Sequence, residues 1–180
     1  MKLLFRGGVI LSMFLFFFGC HPSPLTYRSS RDEQLVDKIT EKTAKKLKAE
    51  KNLYLVGTGG QMMHDIQMLA MSFDYYQLVD LNTARQLMVS TIKEYLLAVN
   101  NNTEIRPYLH KYPFTAKNLE IRVWVHEPNG ANPPLDKVYY FSAIGGKLAY
   151  YLDLPETYSR QAICEETYEE ALKVISSEQE

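Results

Sequence analysis

Three histidines in the sequence could serve in acid–base catalysis or in metal binding: His64, His110 and His126. They lie far apart, without the short ligand spacings of a zinc site, so no metal site is predicted. His64 adjoins Asp65, but no serine stands nearby in a nucleophile-elbow motif. Glu127 follows His126, and the proline after it would end the helix that a zincin motif requires. No catalytic residue is assigned, and the alternative of a hydrolase depends on whether folding brings a histidine to Asp65 or Glu127.

A glycine-rich segment, Gly57 to Gly60, follows the short apolar run 53–56. Backbone amides in such a segment could hold a phosphate group. The segment lacks the Gly-Lys-Ser/Thr ending of a P-loop and the spacing of the dinucleotide fingerprint. We therefore expect a tight turn after a strand, and no cofactor is predicted.

Tyrosine and tryptophan side chains on three predicted strands could form a contact surface. The alternation in 119–126 predicts a half-buried strand with Arg122, Trp124 and His126 on its polar side. Gly145-Gly146 predicts a two-residue hairpin turn, which pairs Tyr140 with Tyr151 on one face. If the Trp124 strand lies alongside, this face could bind a glycan, a peptide or a partner protein. The alternative is that a helix covers this face as a second core layer.

The other face of the same hairpin has the residues of a core layer. In the predicted register Phe141 pairs with Tyr150, and Ala143 pairs with Leu148. A slip of one residue would exchange the two faces, so the turn determines which side chains are buried.

The remaining elements are predicted by periodicity and by capping signals. A capping box at Ser30 begins a charged helix that ends near Asn52, and Asn82 begins a second helix that ends at 100–102. Residues 53–56 and 66–76 are predicted strands, and the prolines at 107 and 113 predict extended backbone before them. After Pro155 we expect a last helix whose apolar face buries Cys164. The fold class is α+β, a mostly antiparallel sheet with about three helices packed on it.

The first nineteen residues differ from the rest of the chain. They carry two basic residues and no acidic one, and an apolar stretch runs from Val9 to Phe18. That apolar stretch is shorter than the ~20 apolar residues that a spanning helix needs. A positively charged start and a short apolar run that ends in a small residue are typical of a secretory signal peptide.

The end of this segment, Phe17-Phe18-Gly19-Cys20, resembles the lipobox of bacterial lipoproteins. Gly19 and Cys20 match that motif, whereas Phe17 and Phe18 replace its usual Leu-like and small residues. The resemblance implies that Cys20 receives a diacylglyceryl group and becomes the N-terminus after cleavage. The alternative is an ordinary cleavage site beside an incidental thiol, for which Cys164 would be the one intramolecular disulfide partner.

The resemblance also implies a location and a domain organisation. His21, after the cysteine, is not the aspartate that retains such lipoproteins at the inner membrane, which implies the periplasmic face of the outer membrane. We expect a signal peptide at 1–19, a lipidated tether at 20–29 and one domain at 30–180. Two or more acyl chains anchor a protein stably, since each buried CH₂ contributes ~0.8 kcal/mol.

Composition limits the kinds of partner. The first nineteen residues contain two of the 20 basic residues and none of the 21 acidic ones, so the remaining 161 residues carry a formal charge of −3. A slightly acidic chain does not indicate nucleic acid as a partner. The sequence therefore favours a lipid-anchored envelope protein that binds or scaffolds. An envelope hydrolase and an accessory subunit of an envelope assembly are the alternatives.

Overall fold

The computed structural model describes residues 29–154 and 159–177. The predicted signal peptide, Cys20 and the tether up to residue 28 lie outside the described residues. The described chain is an α+β protein with three α-helices and a six-stranded, mostly antiparallel sheet, as the sequence predicts. None of the described helices has the length and apolar character that crossing a bilayer requires.

The elements follow one another in a simple order. Two short 3₁₀ turns, Arg106–Tyr108 and Ala116–Asn118, lie between the second helix and the third strand. The helices and strands are α1 (Arg31–Lys51), β1 (Leu53–Gln61), β2 (Met68–Tyr75), α2 (Leu81–Asn100), β3 (Leu119–Val125), β4 (Tyr140–Ile144), β5 (Lys147–Leu154), β6 (Ser159–Thr167) and α3 (Tyr168–Ser177).

The strands lie in the sheet in the order in which they occur in the chain, from β1 to β6. All neighbours are antiparallel except β2 and β3. These two are parallel because the connection between them includes α2, a crossover long enough to return the chain to the same end of the sheet.

The helices pack on one face of the sheet, which leaves the other face without a helix among the described residues. Helix α2 contacts β3 and β4 as well as both other helices. The Thr40 hydroxyl of α1 lies 2.7 Å from the Tyr95 hydroxyl of α2. Alternate residues of the central strands lie on the helix side and are fully buried, among them Phe73, Ile121 and Phe141. We call the helix-free side the open face.

The first helix forms as its sequence predicts. Ser30 and Glu33 make a reciprocal capping box, with the Ser30 amide donating to Glu33 Oε2 over 2.9 Å. Asn52 ends the helix with φ of 57°, the left-handed conformation that asparagine tolerates. The predicted strand at 66–76 is also confirmed, as β2.

The second helix begins earlier than predicted. Its N-cap is Asp80, whose Oδ1 accepts a hydrogen bond from the Thr83 amide over 2.7 Å, so the assignment of the cap to Asn82 is wrong. Aspartate and asparagine are about equally good caps, and the apolar periodicity alone does not choose between them. At the other end the helix stops within the predicted range 100–102, with Asn101 as its C-cap at φ of −81°.

Two further local predictions are wrong for reasons of tertiary pairing or local turn formation. Gly57–Gly60 does not leave the strand but continues β1 to Gln61, since these residues pair with β2 beyond a bulge at Val56. Arg106 lies in a 3₁₀ turn and is not extended, because Pro107 occupies the first turn, where its missing N–H costs no hydrogen bond.

The helix predicted after Pro155 is in part a strand. Residues 159–167 form β6, which pairs with β5 and places Cys164 opposite Tyr150. The helix begins only at Tyr168. The spacing of Cys164, Tyr168 and Ala171 fits one face of a helix. However, the segment up to residue 167 pairs with the free edge of β5 as a strand. Cys164 is a free thiol that is half-buried against the core, so the prediction of a buried cysteine on a helix is wrong.

Candidate binding face

The hairpin has the predicted register, and it places an aromatic pair on the open face. Tyr140 lies opposite Tyr151, and Phe141 lies opposite Tyr150. Gly145 and Gly146 form the turn with φ of 59° and 85°, which residues with a Cβ rarely adopt. Phe141 and Tyr150 are fully buried against the helices, so the predicted core face is confirmed.

A row of aromatic side chains extends from this pair across the sheet. Asp74 of β2 is in register with Trp124, and Trp124 is in register with Tyr140. On the far side Asp74 pairs with Tyr54 of β1. We call these residues the aromatic row: Tyr54, Asp74, Trp124, Tyr140 and Tyr151.

The rings at the centre of the row touch one another. The ring centroids of Trp124 and Tyr140 are 5.4 Å apart, and those of Tyr140 and Tyr151 are 5.6 Å apart, within the range of favourable aromatic pairs. Tyr140 is only 7% exposed, whereas Trp124 and Tyr151 are half-buried. Tyr140 is therefore held between its neighbours, and the outer two rings offer the accessible surface.

A second cluster continues the row toward β1. The rings of Tyr76 and His126 stack at 5.2 Å, and Tyr54 meets Tyr76 edge-on at 5.5 Å. His126 Nε2 lies 3.1 Å from Asp74 Oδ1, which fixes the imidazole over the end of β2. The predicted site residue His126 is thus connected to the row through Asp74, a residue that the sequence did not single out.

The next row of the open face has small side chains around one cation. Arg122 is in register with Ser72 on one side and with Ser142 on the other. Its guanidinium forms an ion pair with Glu120 of the same strand face. Arg122 is half-buried. By the strand register, the structure places all five predicted site residues on or beside the open face: Arg122, Trp124, His126, Tyr140 and Tyr151.

A shallow depression of about 490 Å³ adjoins Tyr151 at the β5–β6 end of the sheet. Its lining includes Ser142, Ala149, Lys147 and Glu165. A depression that combines small side chains, one aromatic ring and charges of both signs suits the binding of a polar group next to an aromatic contact.

The structure also brings together a histidine and a carboxylate that the sequence left apart. His110 Nδ1 lies 2.6 Å from Asp65 Oδ2, and this hydrogen bond lowers the pKa of Asp65. Ile66 pairs with Leu109 as an isolated bridge, which aligns the two segments. The His110 side chain is 60% exposed, and no described hydroxyl or thiol hydrogen bonds to it.

A buried ion pair between α2 and β6 was missed by the sequence analysis. Arg85 of α2 donates from Nε to Glu166 of β6 over 2.8 Å, and both side chains are about 90% buried, with exposures of 10% and 9%. The hydrogen bond to Glu166 raises the pKa of Arg85, and burial raises that of neighbouring Tyr150. The available signal in the sequence for this buried pair was the position of Arg85 between the apolar positions Ala84 and Met88. The pair lies on the helix side of the sheet, away from the open face.

Within the described ranges no group of three histidine, cysteine or acidic side chains is arranged to hold a metal ion. Comparison of the chain with models of protein families, with curated proteins and with solved structures finds no match. Inference about function therefore rests on the chain's own residues.

Proposed function

We propose that this protein is a lipid-anchored component of the bacterial cell envelope that binds a partner through the open face. The observation that carries the binding role is the aromatic row, which crosses five strands on the side opposite the helices. The lipid anchor rests on the resemblance of Gly19-Cys20 to a lipobox and on the signal-like segment before it. With Cys20 at the membrane, the partner is an envelope protein, peptide or glycan.

The physical argument for binding is the combination of side chains. Trp124 and Tyr151 present amphipathic rings that can bury apolar area while their polar atoms keep a hydrogen-bond partner. The ion pair of Arg122 and Glu120 and the hydrogen bond of His126 with Asp74 add polar contacts at the border. Aromatic residues and arginine are enriched in protein interfaces, and the strands beneath hold them rigidly.

A photocrosslinking experiment in the native envelope tests this function. A photoreactive phenylalanine analogue replaces Tyr151 in one variant and Tyr112 in the control, because Tyr112 is 48% exposed beside the end of α2. We expect a distinct adduct, to protein or to peptidoglycan, from position 151 and none of the same mass from position 112. Equal adducts from both positions, or none from position 151, would contradict the proposal.

An envelope hydrolase is the second candidate, and the contact of His110 with Asp65 is the observation that favours it. A carboxylate next to an imidazole orients the ring and supports its action as a general base. The pair lies on an exposed surface, which gives a substrate little enclosure. Loss of peptidoglycan or ester hydrolysis in His110→Ala, with retained activity in His64→Ala, would establish this candidate; absence of activity in the purified wild-type chain would exclude it.

A further inference from the structure

The two edges of the sheet differ in their protection against additional strands. Strand β6 includes the exposed Glu165 and the inward-pointing Glu166, and charged residues on an edge strand discourage further pairing. Strand β1, with the sequence LYLVGTGGQ, has neither a charge nor a proline. Its Leu55 is 38% exposed and its Val56 is 54% exposed. The β1 edge is therefore the one at which a further strand can pair.

The part of β1 that can accept a partner is its second half. The bulge at Val56 interrupts the ladder, but Gly57 to Gln61 pairs with Ser72 to Met68 without irregularity. As the outermost strand, β1 is hydrogen-bonded to β2 alone within the described sheet. The outward N–H and C=O groups of this segment are thus those of an unprotected edge.

A groove lies beside the same segment, between it and the first half of α1. It has a volume of about 290 Å³ and includes Val36, Asp37, Thr40 and Thr58. Thr58 is in register with the core residue Met71, so its side chain points to the helix side, yet it is exposed because α1 stands away from it. We call this space the edge groove.

The charge of the edge groove selects a kind of ligand. Its lining contains two carboxylates, Glu33 and Asp37, and no lysine or arginine. Glu33 is engaged in the capping box with Ser30. Asp37 has no ion pair with a described cation, so its carboxylate can receive a charge from a ligand. Val36 and Met62 provide an apolar floor.

We propose that the edge groove binds an extended peptide that adds to β1 as a seventh strand. Main-chain hydrogen bonds to Gly57–Gln61 provide affinity, and every second side chain enters the groove. The peptide carries apolar and basic residues in turn at the positions that face the groove, and one lysine or arginine of the peptide lies next to Asp37. This site is independent of the aromatic row, because it uses the edge and the helix side of the sheet.

The glycines of β1 fit this role. Gly57 and Gly59 have no φ in the left-handed region, and an added Cβ would meet only side-chain atoms at 3.6–3.9 Å. Glycine is therefore not required there by β2. Short side chains leave the backbone open to an approaching strand. Gly60 is different, since a Cβ would meet the Met68 carbonyl oxygen at 2.5 Å.

Fluorescence anisotropy with the full chain in detergent tests the proposal. The probe is a fluorescein-labelled heptapeptide, Lys-Thr-Val-Thr-Lys-Thr-Val. Its comparisons are the same peptide with glutamate in place of lysine and a version methylated at alternate backbone nitrogens. We expect the basic peptide to bind and both comparison peptides to bind at least about tenfold more weakly, since each lacks either the charge or the donors of a strand. Equal binding of the methylated peptide, or no binding of the basic one, overturns the proposal.

Variants locate the binding site. Asp37→Asn should weaken binding of the basic peptide about fivefold, which corresponds to the ~1 kcal/mol of a partly exposed charge pair. Glu50→Gln is the matched control, because Glu50 is on the same helix and outside the groove lining. Hydrogen exchange should slow at residues 57–61 when the peptide binds. Slowed exchange on the β6 edge instead, or a self-associated dimer that excludes the peptide, contradicts the proposal.

The test separates this site from the proposed function. Tyr151→Ala should leave peptide affinity unchanged if the edge groove is the site. An equal loss in Tyr151→Ala and Asp37→Asn would place the peptide elsewhere and overturn the inference, while the binding role of the open face would stand.

Discussion

Trp124 and Tyr140 face each other across β3 and β4, with ring centroids 5.4 Å apart, on the side of the sheet that carries no described helix. Their contact joins the predicted tyrosine pair of the hairpin to the only tryptophan of the chain. A single surface therefore contains residues from segments that are widely separated in the sequence. The proposed binding role depends on this surface.

The two faces of the sheet should respond differently to truncation. Phe141→Ala should lower the free energy of unfolding by about 3–5 kcal/mol, because Phe141 is fully buried and leaves a cavity. Tyr151→Ala on the open face should lower it by only about 1 kcal/mol. Urea unfolding of the two variants measures the difference. Equal losses would show that the open face is a second core.

Tyr140 is a poor choice for the same comparison. It is 7% exposed between its two aromatic neighbours, so its removal would affect stability as well as binding. Tyr140 supports the neighbouring rings, and the proposed contact with a partner falls to Tyr151 and Trp124.

The buried ion pair should show strong coupling between its partners. Glu166→Leu alone leaves the Arg85 guanidinium buried without its carboxylate and should cost about 3 kcal/mol or more. Arg85→Met combined with Glu166→Leu should cost less than the sum of the two single changes. Thermal and urea unfolding of the four proteins complete the cycle. Simple additivity would contradict the contact.

The Asp65–His110 contact should be visible in a titration. His110 lowers the pKa of Asp65 through a hydrogen bond, so the contribution of Asp65 to stability is present above its ordinary pKa and is lost as the pH falls through the lowered value. In His110→Ala the pKa of Asp65 should rise toward its ordinary range. Carbon-detected NMR of the carboxyl group measures this. Asp80 is the internal control, because its pKa is lowered by the Thr83 amide and should not change.

The anchor is tested separately from the domain. Cys20→Ala should abolish labelling by a fatty-acid analogue and leave an unprocessed or soluble chain, because the thiol that takes the lipid is gone. Cys164→Ala is the matched control and should label normally. Labelling that persists in Cys20→Ala would contradict the lipobox interpretation. Fractionation with the inner membrane would contradict the predicted outer-membrane location.

Local signals predicted a large part of the fold. The capping box at Ser30, the alternation in β3 and the Gly145-Gly146 turn each depend on neighbouring residues, and each gave the observed element. The register of the hairpin follows from the turn alone, so the core face and the position of Tyr151 were predictable. The parallel pairing of β2 with β3 was not, because it depends on the path of α2.

The errors arise where a distant partner determines the structure. Cys164 and its neighbours fit a helical spacing, but the free edge of β5 pairs with them as a strand. Gly57–Gly60 has the composition of a turn, but pairing with β2 keeps it in the sheet. For the same reason Tyr54 and Asp74 were not predicted as site residues, since their place in the aromatic row follows from the order of the strands.

Because Trp124 is the only tryptophan, a fluorine label at this residue reports on the aromatic row alone. The most direct test uses the purified chain with 5-fluorotryptophan, titrated separately with unlabelled solubilised envelope proteins and with peptidoglycan fragments. The account predicts a shifted or broadened ¹⁹F resonance in one titration, retained in Tyr112→Ala and lost in Tyr151→Ala. If the chain binds one of these materials and the resonance stays unchanged in that titration, the claim that the open face makes the contact is contradicted.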